Sequence, residues 1–399
     1  MAKGVLHNSN FVRVLQVGLL IIFCFLSFYT FVSGAALEQA TLSERTKTFE
    51  HELEHLRQKL NIPGMSAAVL HRQKIMFARG FGYADLQGKI PATENTPYHI
   101  ASLTKPFAAV LIMQFVETGQ LNLDSAMAEL LKDFTFTRYG VTGYTKLCKA
   151  IKKASTDKNN VWAFLFQEYH GDTERITVKH HLTHTSQGVP GEAYRYNGFL
   201  YGLLTEVLEK VSEKPFDKLL VDRIIAPIGM SMTFPNQHTN QVKQILNKRA
   251  KPYQVDDAGN FVLTKYPDGL KASAGMVSTV LDLAKFDVAM ERNQLISEGS
   301  KKAIFTPAIS SSGEQLPYGL GWFVQEHRGL KLVWHSGWQP DAYSSLILKI
   351  PKESLTLILL ANSDGVTASF NLSEGKLLKS PFAVGFLNLL TNMEISSTP

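Results

Sequence analysis

Residues 102–116 read SLTKPFAAVLIMQFV, and both the fold and the chemistry of the chain turn on that run. Proline is tolerated only in the first turn of a helix, where its missing N–H would be unpaired anyway. Pro106 therefore requires the apolar helix after it to begin close to Ser102. Positions three apart share a helix face, so Lys105 can reach the Ser102 hydroxyl. A helix N-terminus carries partial positive charge and free N–H groups, which favour an oxyanion and disfavour a second cation. There Lys105 sheds its proton and acts as base toward the serine, a nucleophile–base pair that needs no histidine.

Ser-x-x-Lys alone carries little weight, because it occurs three times: Ser102/Lys105, Ser155/Lys158 and Ser373/Lys376. Ser155 sits in a polar run and Ser373 precedes Gly375, and no apolar helix opens at either. On local sequence alone, a plain helix N-cap is an equal reading of Ser102.

Working outward, the 399 residues are 45% apolar and 19% charged, with 41 Lys+Arg against 35 Asp+Glu. That balance builds a core and excludes a disordered chain. Two cysteines exclude a disulfide scaffold or a Cys-rich zinc module. A net charge of +6 is too diffuse for nucleic-acid binding.

Val14–Val32 is an uncharged apolar stretch after Lys3 and Arg13, followed by the small residues Ser33-Gly34-Ala35. Residues 1–36 are thus expected to be a cleaved signal peptide or an N-terminal membrane anchor, with an exported, periplasmic or extracellular protein behind it. If the leader is removed, Cys148 is left alone and is expected to be buried.

Residues 42–60 have the spacing of an amphipathic helix, with Phe49, Leu53, Leu56 and Leu60 on one face. Met65–His71 and Ile75–Tyr83 read as strands joined by a polar turn. Helical and loop-like sequence then runs to about Tyr266, including a polar segment over 135–175. A helix starts at Asp282. Strands are expected at Tyr318–Gln325, Leu330–Trp334, Ala342–Ile350 and Leu355–Ala361, and a last helix at Pro381–Leu390. Strands at both ends with helices between them predict an α/β (α+β) fold: an antiparallel sheet flanked by helices plus a mostly helical part. The boundaries are 42–121 with 267–392 for the α/β part and 122–266 for the helical part.

Several short motifs recur in fixed order: IPGMSAAVL, HIASLTKPFAAV, LTHTSQG, Tyr196 ahead of YGLLTEVLEKV, KASAGMVST, YGLGWFV and WHSGW. Together they resemble the serine β-lactamase and penicillin-binding-protein family, most closely class C β-lactamases and their esterase relatives, from about Ile62 to Asn362. The resemblance implies that Ser102 is acylated, that Lys105 assists, and that Tyr196 passes protons. It implies an oxyanion hole made by the backbone N–H groups of Ser102 and Trp338, and a substrate wall of His335-Ser336-Gly337 where the family often has Lys-Thr-Gly. The family's Tyr-x-Asn becomes Tyr196-Asn197-Gly198, so Asn197 is the candidate substrate contact, one place early. These departures weaken the case for efficient β-lactam turnover. They leave esters, amides and D-amino-acid peptides, including cell-wall-derived ones, as expected small-molecule substrates, with no cofactor.

Other candidates read less sharply. His180 and His184 are four apart but lack a glutamate or cysteine partner set, so no metal site is expected and His184 should brace the loop leading to Tyr196. His335 with Asp341 could complete a Ser-His-Asp triad, but no Gly-x-Ser-x-Gly elbow exists. Trp322 and Trp334 read as core, and Trp338 as core or pocket lining. The expectation is a serine hydrolase; its rival is a binding or scaffold protein that keeps the fold and does not turn over.

Overall fold

The computed structural model describes residues 41, 43–137, 140–156, 163–167, 169–171, 173–235 and 246–390. The apolar leader at Val14–Val32 lies outside them. Among the described residues no helix is long and apolar enough to cross a membrane.

Helix α1 covers 43–59 and buries Phe49, Leu53 and Leu56, as its spacing requires. Strands β1 (Gly64–His71), β2 (Lys74–Asp85) and β3 (Ile90–Pro91) follow. From the far end of the chain come β4 (Phe323–His327), β5 (Leu330–Gln339), β6 (Tyr343–Ile350) and β7 (Leu355–Ala361). They form one antiparallel seven-stranded sheet in the order β4-β5-β6-β7-β1-β2-β3. The two termini thus share a sheet, with β1 paired to β7.

Both faces of that sheet are covered, which explains strands that read as unbroken apolar runs rather than alternating ones. Met65, Ala67, Val69, Leu357 and Leu359 pack with α1 and with α6 (Pro381–Leu390), through Phe49, Leu53, Phe382 and Phe386. Ala68, Leu70, Ile358 and Leu360 point the other way. They join α2 (Thr104–Glu117) and α5 (Val280–Glu291) in the second core. Each fully buried Leu or Phe contributes about 1.5–3 kcal/mol relative to exposure. The sheet is therefore held from two sides at once.

Residues between α2 and α5 include α3 (Tyr144–Thr156) and α4 (Leu204–Ser212), with short turns and hairpins around them. Cys148 is buried in this region. The polar 135–175 segment contains the small pairing Thr135–Phe136 with Val141–Thr142 and then α3.

Two expectations about strands need correction. Tyr318–Trp322 is not strand: Tyr318 makes one isolated bridge to Phe323, and Gly321 turns the chain at a φ of 80°. A side chain at Gly321 would also meet the Ala109 Cβ at 2.7 Å and the Tyr201 hydroxyl at 2.9 Å. Conversely, β5 does not stop at Trp334. It runs on to Gln339, while its outer partner β4 ends its register at Phe323 opposite Trp334. Residues 335–339 consequently have β6 on one side and no β4 partner on the other.

Candidate active site

The face shared by β5 and β6 at Gly337 and Ser345 receives the turn that carries Ser102. Ala101–Leu103 is a single 3-10 turn feeding directly into α2, with Pro106 in the first helical turn as its chemistry demands. Ser102 is not the N-cap of α2; that position is Leu103, and no side chain caps the helix. The hydroxyl is therefore not consumed by capping. Ala101, just before it, sits in the left-handed region at a φ of 48°, a conformation that costs energy for any residue with a Cβ. Surrounding bonds hold it there. The Ala101 N–H donates to His99 Nδ1 (3.2 Å), the Thr104 hydroxyl donates to the Ala101 carbonyl (2.8 Å), and the Ser345 hydroxyl donates to the Ile100 carbonyl (2.8 Å).

Lys105 is fully buried, and its Nζ lies 2.9 Å from Ser102 Oγ and 3.0 Å from the Ser273 carbonyl. Among the described residues it has no carboxylate partner. Burial lowers the Lys105 amine to about 7, because leaving water disfavours the charged form. As a neutral amine it donates to Ser273 and accepts the Ser102 proton, so the geometry suits a base. The Nζ also stands 4.8 Å from the Tyr196 ring centroid and 5.4 Å from that of Tyr201. Burial pushes the proton affinity of the Tyr196 hydroxyl up, and the neighbouring Ser102 draws it partly back. Ser102, Lys105 and Tyr196 are thus brought together.

The loop before Tyr196 is braced by His184. The Asn197 N–H donates to His184 Nδ1 (3.2 Å), and the Arg195 N–H donates to the His184 carbonyl (2.8 Å). The His184 ring lies 4.3 Å from the Tyr196 ring, centroid to centroid. The helix Val178–Leu182 ends before His184, which has a φ of 56°, so the i,i+4 pairing with His180 that a metal reading needs does not form.

The strand motif is placed beside the nucleophile but differs from expectation in its side chains. Gly337 approaches the Ser102 turn so closely that a Cβ there would stand 2.3 Å from the Ile100 carbonyl oxygen and 3.1 Å from the Ala101 Cβ. Glycine is required by that contact. His335, expected on the substrate wall, is instead fully buried. Its Nδ1 bonds the Ser336 carbonyl at 2.7 Å, which makes Nδ1 the protonated nitrogen, and its Nε2 accepts from the Tyr318 hydroxyl at 2.8 Å. Burial and nearby Lys105 keep the ring neutral. With both nitrogens occupied by Tyr318 and the Ser336 carbonyl, His335 neither meets substrate nor has a nitrogen left for Asp341. Ser336 is buried in the same strand, and Trp338 is 52% exposed with its indole N–H directed at Asp364.

Asn197 is a second correction. Its Oδ1 accepts from the Leu200 N–H, and its Nδ2 donates to the Leu165 carbonyl and to Gln187. It caps the short helix Gly198–Gly202 and is not available to a substrate amide. The residues that sequence reasoning missed are Ser273, Tyr201 and Tyr318. Ser273 acts through its carbonyl, which leaves no side-chain signal. Tyr318 reads as part of a strand, although the KASAGMVST and YGLGWFV motifs do contain Ser273 and Tyr318.

A family model described as Beta-lactamase matches residues 49–375 of the chain. Penicillin-binding protein 4* of Bacillus subtilis is 26% identical over 320 residues, covering 73% of this chain and 66% of that protein. The chain therefore spans just under two thirds of that relative's length. Among solved structures, the octameric penicillin-binding protein homologue from Pyrococcus abyssi superposes with a TM-score of 0.62 at 27% identity, covering 82% of this chain and 75% of its own. The D-amino acid amidase from Ochrobactrum anthropi, with a TM-score of 0.59 at 18% identity, covers 80% of this chain and 92% of its own and shares the fold.

Proposed function

This chain belongs to the beta-lactamase family, and from that premise we propose that it is a serine hydrolase working through an acyl-enzyme on small ester, amide or peptide carbonyls. One observation carries the reading: Lys105 Nζ, buried and paired with no carboxylate among the described residues, lies 2.9 Å from a Ser102 hydroxyl that no cap consumes.

In the first step Ser102 Oγ attacks the substrate carbonyl and its proton passes to Lys105 Nζ. The oxyanion is held by the backbone N–H groups of Ser102 and Trp338, a reading supported by the close approach of Gly337 to Ala101. Tyr196, whose ring centroid lies 4.8 Å from Lys105 Nζ, relays the proton to the leaving group, and the carbon–leaving-group bond breaks. Water then attacks the acyl carbonyl, giving its proton to the same Tyr196–Lys105 pair, and the serine oxygen departs with a proton returned to it.

Esters and D-amino-acid amides suit the site better than β-lactams. The wall position that is lysine in many relatives is here a neutral, buried histidine, and Gly198 offers no amide where the family's asparagine stands. Steady release of p-nitrophenol from p-nitrophenyl esters, abolished in Ser102→Ala, is the expected result. A single stoichiometric burst would instead favour an acyl-trapping scaffold.

A further inference from the structure

Ser273 faces two ways. Its carbonyl accepts from Lys105 Nζ at 3.0 Å, and that amine is in turn 2.9 Å from Ser102 Oγ. Its hydroxyl oxygen lies 3.2 Å from where a Cβ of Gly202 would stand, and both residues line a pocket of about 550 Å³. The catalytic base and the pocket therefore share a residue. A volume of this size is that of a small-molecule site, and it adjoins the nucleophile.

The pocket's apolar surface is aromatic. Phe134, from the segment before α3, and Phe199 both line it and are both half-buried. Phe199 is held edge-on by Phe166 at 5.2 Å between centroids, and Phe134 by Phe136 at 5.0 Å. The rings are thus fixed surfaces for an occupant to pack on. At Gly198, another lining residue, nothing lies within 4 Å of where a Cβ would stand. The charged groups on the walls are already engaged with protein partners: Lys271 Nζ bonds Glu206 at 2.7 Å, and Glu209 accepts from the Phe216 N–H at 3.0 Å. An ionic group entering here would give up its hydration for no new partner, whereas an apolar group gains by leaving water.

We infer that this pocket takes a neutral apolar arm of the substrate, an alkyl chain or an aryl group, joined to the carbonyl that Ser102 attacks, so that the enzyme favours longer esters over short ones. The inference rests on the serine-hydrolase reading above.

The test uses the full chain and two ester series. The p-nitrophenyl esters of butyrate, hexanoate and octanoate lengthen the acyl side; butyl, hexyl and octyl acetates lengthen the leaving side and are followed by acid release. Each methylene that enters the pocket should raise kcat/KM about fourfold. In at least one series the eight-carbon member should therefore exceed the four-carbon member by about tenfold or more, even with only half of the added chain buried. Gly198→Phe puts a ring into the open space and should cut that excess to about twofold or less in the same series. Gly198 opens the helix Gly198–Gly202 without a left-handed φ, so a side chain there strains no backbone. If Gly198→Phe does not fold, Gly198→Leu fills the same space and should act in the same direction. A flat profile in both series, a rate that falls with length, or an excess undiminished in the folded variant overturns the inference. Ester hydrolysis that persists in Ser102→Ala would overturn the serine reading instead, so the two failures are distinguishable.

Discussion

Gly337 and Ile100 meet backbone to backbone: a Cβ at residue 337 would lie 2.3 Å from the Ile100 carbonyl oxygen. Through this contact a strand of the sheet sets the position of a turn that lies more than 200 residues earlier in the chain. Gly337→Ala forces the two apart. Overpacking of this kind costs about 1–3 kcal/mol, and a shift of about 1 Å at a reacting group costs on the order of a hundredfold in rate. Ester hydrolysis by the variant should fall by that order while its circular dichroism stays native. Undiminished kcat/KM would show that the strand does not position Ser102.

The second prediction concerns pH. Burial lowers the Lys105 amine to about 7. The neutral amine is the form that accepts the Ser102 proton, so the competent fraction grows as pH rises through that value. Acylation measured by pre-steady-state release of p-nitrophenol should climb between about pH 6 and 8 and then level off. A rate falling over the same interval would give Lys105 the opposite protonation state.

Tyr196 has its ring beneath Lys105 Nζ, 4.8 Å from centroid to nitrogen. Removing only its hydroxyl in Tyr196→Phe leaves the packing against His184 in place. Turnover should drop by about 10²–10⁴, the usual contribution of a positioned proton-transfer group, with little change in melting temperature. An unaltered rate would remove tyrosine from the proton path.

A fourth prediction addresses the scaffold. Lys349 on β6 is buried and bonds both Asp287 and Glu291 of α5, the latter at 2.8 Å. These carboxylates keep the amine charged despite its burial. Asp287→Ala leaves that cation short of a partner and should destabilise the fold by about 3–5 kcal/mol in urea titration. A loss under 1 kcal/mol would mean that Glu291 alone compensates.

What could be seen in the sequence follows from how local each signal is. Ser102 and Lys105 are legible because one helical turn joins them and Pro106 marks where that turn begins. The helices, β1 and the β6–β7 hairpin are legible from periodicity and turn residues, since their burial repeats at short range. Tyr196 has no such local signature and was legible only by resemblance. His335 was misjudged because its role depends on Tyr318, which takes its Nε2 from a loop that Gly321 bends out of the strand. Asn197 was legible in principle: an asparagine just before an apolar helical run is a common cap, and it does that here. The Ser273 carbonyl was beyond reach, since a backbone oxygen 168 positions from Lys105 writes nothing into the side-chain pattern.

The most direct test is intact-mass measurement after exposure of the chain to a fluorophosphonate. The protein should gain a single phosphonyl adduct, mapped by peptide analysis to Ser102, and Ser102→Ala should gain none. An unlabelled protein, or an adduct that persists in Ser102→Ala, would contradict the assignment of Ser102 as the nucleophile.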